Sequence, residues 1–562
     1  MSTGPDIPAQ PAPRPSASSS RRSFLKSTLV TSVLTVLSRV VGLVREQVRG
    51  YFLGTGMESD AFGIAATIPN MLRRLFAEGA MTAAFVPVFS GLRAEEDRER
   101  LGRFFQGFMT LFTLLMLAVT LLGILLARPL VEVLFGGQFG DVPGKVALTV
   151  GLTRVMFPFL FLVSIAAIVQ ATLNSFHIFG PSAFTPVLLS ATNILVVVWF
   201  HDRFENAAWA LAVGFLAGGV LQTAFQIPFL RRKGLKFRPT LAGLKDPAVW
   251  QVARIFLPGV FSAGIYQINV TIAQVIAAGL DEGSVASLQY SLRLQELVLG
   301  VFAVSVATVL LPTLSEQVHR KEWPEVKETL RFSIGLLAFI TIPATAGLVL
   351  LATPIVRVLY QYGRFDANST DMTVWALYFH TAGIFFIAMQ RNVVQVFYAM
   401  KDLKTPTVIA AVVMVVHAGL CWGLAGPLDM QQGGIAAAGS LSAVLNVALL
   451  YGVLRRRIGL LGTRALVRSL ARTTGATAAM AVVAAAPVAL GVFDGLRGGA
   501  LALRLIPVLL AAVAAYIVAA RLLRCEELDE FVGLPRGRIR RAWRTPGRVP
   551  ARARRRGGAP AA

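Results

Sequence analysis

The residues best suited to chemistry are charged side chains that interrupt apolar stretches near the start of the chain. In the first stretch, Arg39, Arg45, Glu46 and Arg49 fall within an arc of about 120° if the segment is a helix. Placing one arginine in a bilayer span costs at least about 2.5 kcal/mol, so such a residue usually faces a polar cavity. We therefore expect this helix face to line water or protein.

A second cluster lies in the next apolar stretch and contains charges of both signs. It comprises Asp60, Arg73, Arg74 and Glu78, and it is interrupted at Pro69–Asn70, where a proline can kink a helix. For Arg73, Arg74 and Glu78, a structural or gating role and contact with a substrate are both open. We expect Asp60 to belong to the same charged cavity.

A third group, Arg293 and Glu296, is spaced i, i+3 and lies on one helix face. One hypothesis is that a neighbouring acid neutralises each arginine, with Asp60 beside Arg45 and Glu296 beside Arg293. Positive charges nevertheless exceed acids around the predicted cavity, which favours an anionic ligand for Arg39, Arg45 and Arg293. A guanidinium suits phosphate because it donates two parallel hydrogen bonds, so a pyrophosphate-linked lipid is one such ligand.

The composition places these clusters in a membrane protein. Of 562 residues, 55% are hydrophobic and 15% are charged, and the mean hydropathy is +0.64. Apolar stretches of roughly 20 residues, the length that spans a bilayer, recur from about residue 27 to about residue 523. We expect an all-α polytopic membrane protein with about fourteen transmembrane helices.

Several kinds of chemistry find no support in the sequence. The segment Gly140–Lys145 has the wrong spacing for a phosphate-binding loop, so nucleotide hydrolysis is not expected. Cys421 and Cys525 give neither a metal-ligand spacing nor a disulfide framework. We expect a protein that is not an enzyme and has no metal or cofactor. Its energy would come from the membrane potential, a monovalent ion or the fate of its substrate.

The formal net charge of +24 follows membrane topology rather than forming one patch. Alternate gaps between the apolar stretches are rich in Lys and Arg, with six each in 231–245 and 455–472, and the gaps between them hold few. The gaps rich in Lys and Arg and both termini are therefore predicted to be cytoplasmic. Because the basic residues do not form one patch, a nucleic acid is not an expected partner. Residues 1–23 and 524–562 form basic tails that we expect to be disordered.

The two halves of the chain are related by an internal repeat at a fixed offset of 225 positions, which we call the repeat offset. Ala127–Phe135 matches Ala352–Tyr360, and Arg231–Leu235 matches Arg456–Leu460. About six spans per unit predict a parallel repeat with a substrate site between two lobes, as in an alternating-access carrier. Gene duplication without transport is the competing hypothesis.

The charged clusters are not part of this repeat. At the repeat offset, the residues that correspond to Arg39, Arg45, Asp60, Arg73, Arg74 and Glu78 are all uncharged. In the other direction, Arg293 corresponds to Ile68. Each half therefore contributes its own charges, which duplication alone does not explain.

Motifs around the charged residues form a signature. They are Ser38–Glu46, Thr55–Phe62, Ile68–Gly79, Ala84–Pro87, Arg293–Glu296, Thr308–Pro312, Gln361–Gly363 and Lys404–Pro406. These motifs resemble the MurJ (MviN) family of lipid II flippases, within the multidrug/oligosaccharidyl-lipid/polysaccharide exporter superfamily. The resemblance covers about residues 24–523.

The resemblance implies fourteen spans arranged as two six-helix lobes in a V. The first lobe would comprise residues 24–233 and the second residues 248–457. A last helix pair, residues 468–523, would form a groove for an undecaprenyl tail. The tails outside residues 24–523 have no counterpart in the resemblance.

The resemblance also implies roles for individual side chains. The family's essential cavity charges match Arg39, Arg45, Asp60, Arg73, Arg293 and Glu296. Arg39, Arg45 and Arg293 would clamp a pyrophosphate, and Asp60 and Glu296 would orient the arginines and help to close the outward side. Relatives often carry an acid just before the arginine of the eighth span, where this chain has Leu292.

The implied function is translocation of lipid II, the undecaprenyl-pyrophosphate-linked peptidoglycan precursor, from the cytoplasmic to the periplasmic leaflet of the bacterial inner membrane. Lipid II, membrane lipids and the cell-wall synthesis machinery would be the partners. Two transport alternatives are an exporter of another lipid-linked oligosaccharide and a drug/cation antiporter, whose cavity should hold an excess of carboxylates. A third alternative is a scaffold that recruits partners through its Arg-rich tail.

Overall fold

The computed structural model describes residues 17–76, 80–300, 304–460 and 462–531, and the regular elements in this part of the chain are all helices. The helices of the first half are α1 Ala17–Leu53, α2 Met57–Phe76, α3 Ala80–Ala94, α4 Arg98–Leu125, α5 Ala127–Phe135, α6 Lys145–Ser175, α7 Gly180–Phe200 and α8 Ala207–Arg231. Those of the second half are α9 Pro247–Ala278, α10 Ser284–Val298, α11 Val304–His319, α12 Trp323–Leu350, α13 Ala352–Tyr360, α14 Ala367–Ala382, α15 Ile384–Ala399, α16 Lys404–Ala425 and α17 Gln431–Ile458. The remaining helices are α18 Thr463–Ala489, α19 Gly498–Leu522 and α20 Glu526–Phe531.

Many of these helices are long and apolar enough to cross a membrane. Within the described ranges, nine helical segments meet that condition, and Ala84–Ala94 and Gln267–Ala278 are shorter apolar helices. The prediction of an all-α polytopic membrane protein is therefore confirmed. The number of fourteen spans stays a prediction.

The internal repeat is visible in the helix boundaries and in the packing. Helix α12 begins and ends at the positions that the repeat offset predicts from α4, and α13 does so from α5. In the first half α8 packs against α6 and α7, and in the second half α17 packs against α14, α15 and α16. The same hydrophobic lengths and turn positions therefore give the same local architecture twice.

The two halves contact each other through helices near the start of each half. Helix α9 of the second half packs against α2 and α3 of the first half, and α2 also contacts α10. The pair α18 and α19 lies outside the repeat and packs on α12 and α13, with Phe339, Met480 and Tyr516 in the shared core. A cavity between the halves is thus bordered by α1, α2, α9 and α10.

At one end of the molecule, three loops bind the halves together, and we call this region the Gly54 end (residues 51–58, 280–283 and 361–369). The Tyr51 carbonyl accepts a hydrogen bond of 2.8 Å from the Arg364 amide, and the Arg364 side chain pairs with Glu58 at 2.7 Å. The Thr55 and Ser369 hydroxyls lie 2.9 Å apart and are buried. The cavity is therefore closed off at this end.

Gly54 permits this close approach. Its φ is +57°, and a Cβ atom placed there would lie 2.4 Å from the Arg364 carbonyl oxygen. Gly234 has a φ of +80° but no atom within 4 Å of its Cβ position. Both glycines adopt the left-handed conformation, and they differ in the space around them.

We expect Gly54→Ala to loosen the Gly54 end, because its methyl group cannot fit against the backbone of the other half. The measurement is the maleimide labelling rate of Ser369→Cys, a position buried in the parent, after Cys421 and Cys525 are replaced by alanine. Labelling should rise several-fold with Gly54→Ala and stay at the parent rate with Gly234→Ala. Equal rates in both variants would show that this end is not held shut by the contact at Gly54.

Candidate functional site

A single buried carboxylate, Glu46, organises the charges between the halves. Arg45 Nη2 lies 2.7 Å from Glu46 Oε1, and Arg49 Nη1 lies 3.8 Å from Glu46 Oε2. Arg293 reaches across from α10 and places its Nε 3.8 Å from Glu46 Oε1. Three guanidinium groups from both halves therefore surround one acid that is 7% exposed.

Arg293 has a second acidic partner, as its i, i+3 spacing predicted. Its Nη1 donates to Glu296 Oε2 at 2.8 Å. The Arg293 side chain keeps 49% of its surface exposed, whereas Glu46 is almost fully enclosed. Arg293 is thus held at the edge of the cavity by two acids and still presents donors to it.

Arg45 is positioned by groups of the first half. Its Nη1 lies 3.4 Å from the Ser190 hydroxyl, and its guanidinium stacks over the Phe215 ring with 5.1 Å to the ring centroid. The predicted pairing of Arg45 with Asp60 is wrong, because the Arg45 side chain pairs with Glu46. Stacking on an aromatic face leaves the edge of the guanidinium fork available for hydrogen bonds.

Arg49, which the sequence pattern placed on the charged face of the first apolar stretch, lies buried within α1. It donates to Gln289 Oε1 at 2.9 Å and to the Ser59 carbonyl at 3.2 Å. Its guanidinium lies between the rings of Phe62 and Tyr290, 5.1 Å from each centroid. Its place on the charged face of α1 was the signal that could have identified it as a site residue.

The cavity between the halves has a volume of about 290 Å³ and a positive lining. Its described lining residues include five arginines and two glutamates, a surplus of three positive charges: Arg45, Arg49, Arg73, Arg74, Arg293, Glu46 and Glu296. Phe159, Val163, Leu189 and Leu211 form an apolar wall beside them. A low-dielectric cavity with surplus cation is suited to an anion.

Arg73 and Arg74 line the cavity near the end of α2, far from the Gly54 end. Arg73 Nε donates to Asn70 Oδ1 at 3.3 Å. Helix α2 continues through Pro69 to Phe76, and the kink expected at Pro69–Asn70 stays a prediction. Glu78, the fourth member of the predicted cluster, lies outside the described residues.

Arg39 is not among the residues that line the cavity. Its Nη2 donates to the Gly300 carbonyl at 3.0 Å and so joins α1 to the end of α10. The reason is helical geometry: six residues displace Arg39 from Arg45 by about 9 Å along the axis and about 120° around it. The predicted clamp of Arg39, Arg45 and Arg293 is therefore not assembled in this conformation.

Asp60 also lies away from the cavity and binds the two halves together. Its Oδ2 accepts from the Gly283 amide at 2.9 Å and its Oδ1 from the Ala286 amide at 3.0 Å, at the start of α10. Lys145 pairs with the same carboxylate at 3.1 Å, and both side chains are buried. No sequence signal pointed to this partner, because Lys145 stood out only within a failed phosphate-loop motif.

Comparisons with known proteins agree on one family. The family profile described as "Lipid II flippase MurJ" matches residues 50–490. The "Probable lipid II flippase MurJ" of Treponema pallidum (strain Nichols) is 34% identical over 445 residues, which cover 78% of this chain and 83% of that protein. The protein of the same name from Vibrio cholerae serotype O1 is 35% identical over 441 residues, covering 76% and 82%.

Solved structures share the fold. One described as "Lipid II flippase MurJ, inward closed conformation" has a TM-score of 0.72 at 24% identity, covering 90% of this chain and 100% of that one. An inward-facing multidrug resistance MATE family transporter of the MOP superfamily has a TM-score of 0.64 at 16% identity, covering 77% and 99%. At these identities the structures show the fold, and the sequence matches show the family. By its profile match over more than half its length and its relatives at 34% and 35% identity, the chain belongs to the lipid II flippase MurJ family.

Proposed function

We propose that the protein moves lipid II from the cytoplasmic to the periplasmic leaflet of the inner membrane by alternating access. The observation that carries this proposal is the convergence of Arg45 and Arg293, from opposite halves, on one buried carboxylate in a positively charged cavity. Family membership indicates the substrate class, and the cavity provides a binding site for the diphosphate of that substrate.

The diphosphate would take the place that the Glu46 carboxylate holds among the arginines. A phosphate oxygen offers the same charge-assisted hydrogen bonds as a carboxylate, and a guanidinium can bind it with two parallel donors. Arg45 and Arg293 are the suitable pair, because one is stacked in place on Phe215 and the other is half-exposed. Arg45, Arg49 and Arg293 carry one more charge than Glu46 and Glu296, and the ligand would neutralise that remaining positive charge.

Transport requires the Gly54 end to open while the opposite end closes. The Asp60 carboxylate would then leave the start of α10, and Arg39 would leave the Gly300 carbonyl. In our proposal the freed Arg39 joins the other arginines only in that second conformation. Its predicted role as a phosphate ligand therefore belongs to a later stage of the cycle.

The orientation of the chain is also part of the proposal. Loops rich in Lys and Arg, such as residues 231–245 and 455–472, would face the cytoplasm together with both termini. The Gly54 end would then face the periplasm. The cavity described here would be closed to the periplasm and would receive its lipid from the cytoplasmic leaflet.

The alternative transport functions differ in the charge that the cavity must hold. A drug/cation antiporter should present carboxylates in excess, whereas five arginines and two glutamates line this cavity in the described part of the chain. Export of another undecaprenyl-linked glycan would use the same diphosphate contacts. The family match favours lipid II over that second alternative.

We expect Arg45→Ala and Arg293→Ala each to lower lipid II affinity about tenfold to a hundredfold, since each removes charge-assisted hydrogen bonds to the diphosphate. Arg45→Lys should recover only part of the loss, because an ammonium lacks the planar fork. The measurements are lipid II binding to purified protein and a leaflet-resolved assay of lipid II in a flippase-depleted strain.

The matched control is Arg391→Ala, since Arg391 is an exposed arginine of α15 that does not line the cavity. It should leave lipid II binding and translocation at parent levels. Parent-level translocation in the Arg45→Ala and Arg293→Ala proteins, at equal membrane abundance, would refute the diphosphate site.

The orientation predicts opposite labelling of two exposed loop positions. With both native cysteines replaced by alanine, Asp141→Cys should react with a membrane-impermeant maleimide in cells whose outer membrane is permeabilised, and Lys236→Cys should not. Both should react after the inner membrane is lysed. Labelling of Lys236→Cys in intact inner membranes would reverse the proposed topology.

A further inference from the structure

The second half contributes a neutral hydrogen-bonding surface to the same cavity. Gln267, Thr271 and Gln274 lie on α9 at spacings of four and three residues, which places them on one helix face. All three line the cavity, and Gln267 is only 5% exposed. Polar side chains are costly in the interior of a membrane protein, so a stripe of three on one helix face points to a polar ligand.

The internal repeat shows that this surface is the counterpart of the charged face of α1. At the repeat offset, Thr271 corresponds to Glu46 and Gln274 corresponds to Arg49. The duplicated helices therefore present the same face to the same cavity. The first half carries charges there, and the second half carries uncharged donors and acceptors.

A chain of hydrogen bonds joins the two faces. Arg49 donates to Gln289 Oε1 at 2.9 Å, and Gln289 Nε2 donates to Gln274 Oε1 at 3.3 Å. The uncharged face of α9 is therefore adjacent to Arg49 and the other arginines of the cavity. The Thr271 hydroxyl lies 3.2 Å from the Met71 sulfur, so the face continues beside the Arg73 end of α2.

We propose that Gln267, Thr271 and Gln274 form a subsite for the uncharged glycan of the substrate headgroup, adjacent to the diphosphate. A primary amide both donates and accepts hydrogen bonds, which suits sugar hydroxyls and N-acetyl groups. Because the face carries no charge, it binds such groups without a counter-ion. This inference rests on the proposed function, since it divides one headgroup between the two halves of one cavity.

The test compares three probes on purified, full-length protein in nanodiscs. They are undecaprenyl pyrophosphate, the same lipid carrying the disaccharide without its peptide, and complete lipid II. Gln267→Leu and Gln274→Leu should each weaken binding of both glycan-bearing lipids about threefold to tenfold, the effect of losing one or two hydrogen bonds. Undecaprenyl pyrophosphate should bind these variants as it binds the parent, which also shows that they are folded.

The Arg45→Ala protein serves as the matched control and should lose affinity for all three probes. Unchanged binding of every probe by both glutamine variants would overturn the glycan subsite and leave the diphosphate site intact. A loss confined to complete lipid II would assign the face to the peptide instead and also overturn the proposal. Failure of the parent to bind any of the three lipids would overturn the proposed function itself.

Discussion

The structure depends on the requirement that charge inside a low-dielectric cavity be neutralised. Glu46 meets part of that requirement from within the protein, since Arg45, Arg49 and Arg293 all lie within 3.8 Å of its carboxylate. Even with Glu296, which pairs with Arg293, two acids cannot neutralise three bases, so the cluster keeps an affinity for a further anion. The same interaction holds the two halves together, because Arg293 belongs to the second half and Glu46 to the first.

The repeated helices form the framework of the protein, and the residues that differ between the two halves form the candidate site. The two halves repeat their helices at a fixed offset, yet α1 and α9 carry different chemistry on the same face. The contacts that close the Gly54 end follow the same rule. Asp60 of the first half pairs with Lys145 and accepts hydrogen bonds from the start of α10 in the second half, whereas Val285 stands at the position equivalent to Asp60.

The sequence was sufficient for features that depend on local pattern. Apolar length predicted the membrane helices, the offset predicted the repeated boundaries, and the i, i+3 spacing predicted the pair of Arg293 and Glu296. The sequence did not predict the contacts that depend on which helices pack against one another. Asp60 meets Lys145 85 residues away, and Arg39 meets Gly300 261 residues away, contacts that no local period encodes.

The central claim is that Glu46 occupies the position a substrate diphosphate takes. The most direct test is the affinity of the Glu46→Gln protein for undecaprenyl pyrophosphate, measured on purified protein beside the parent. We expect tighter binding by the variant, because glutamine keeps the shape of the side chain while removing the competing charge. Binding that is unchanged or weaker would contradict the claim and make Glu46 a structural partner of the arginines alone.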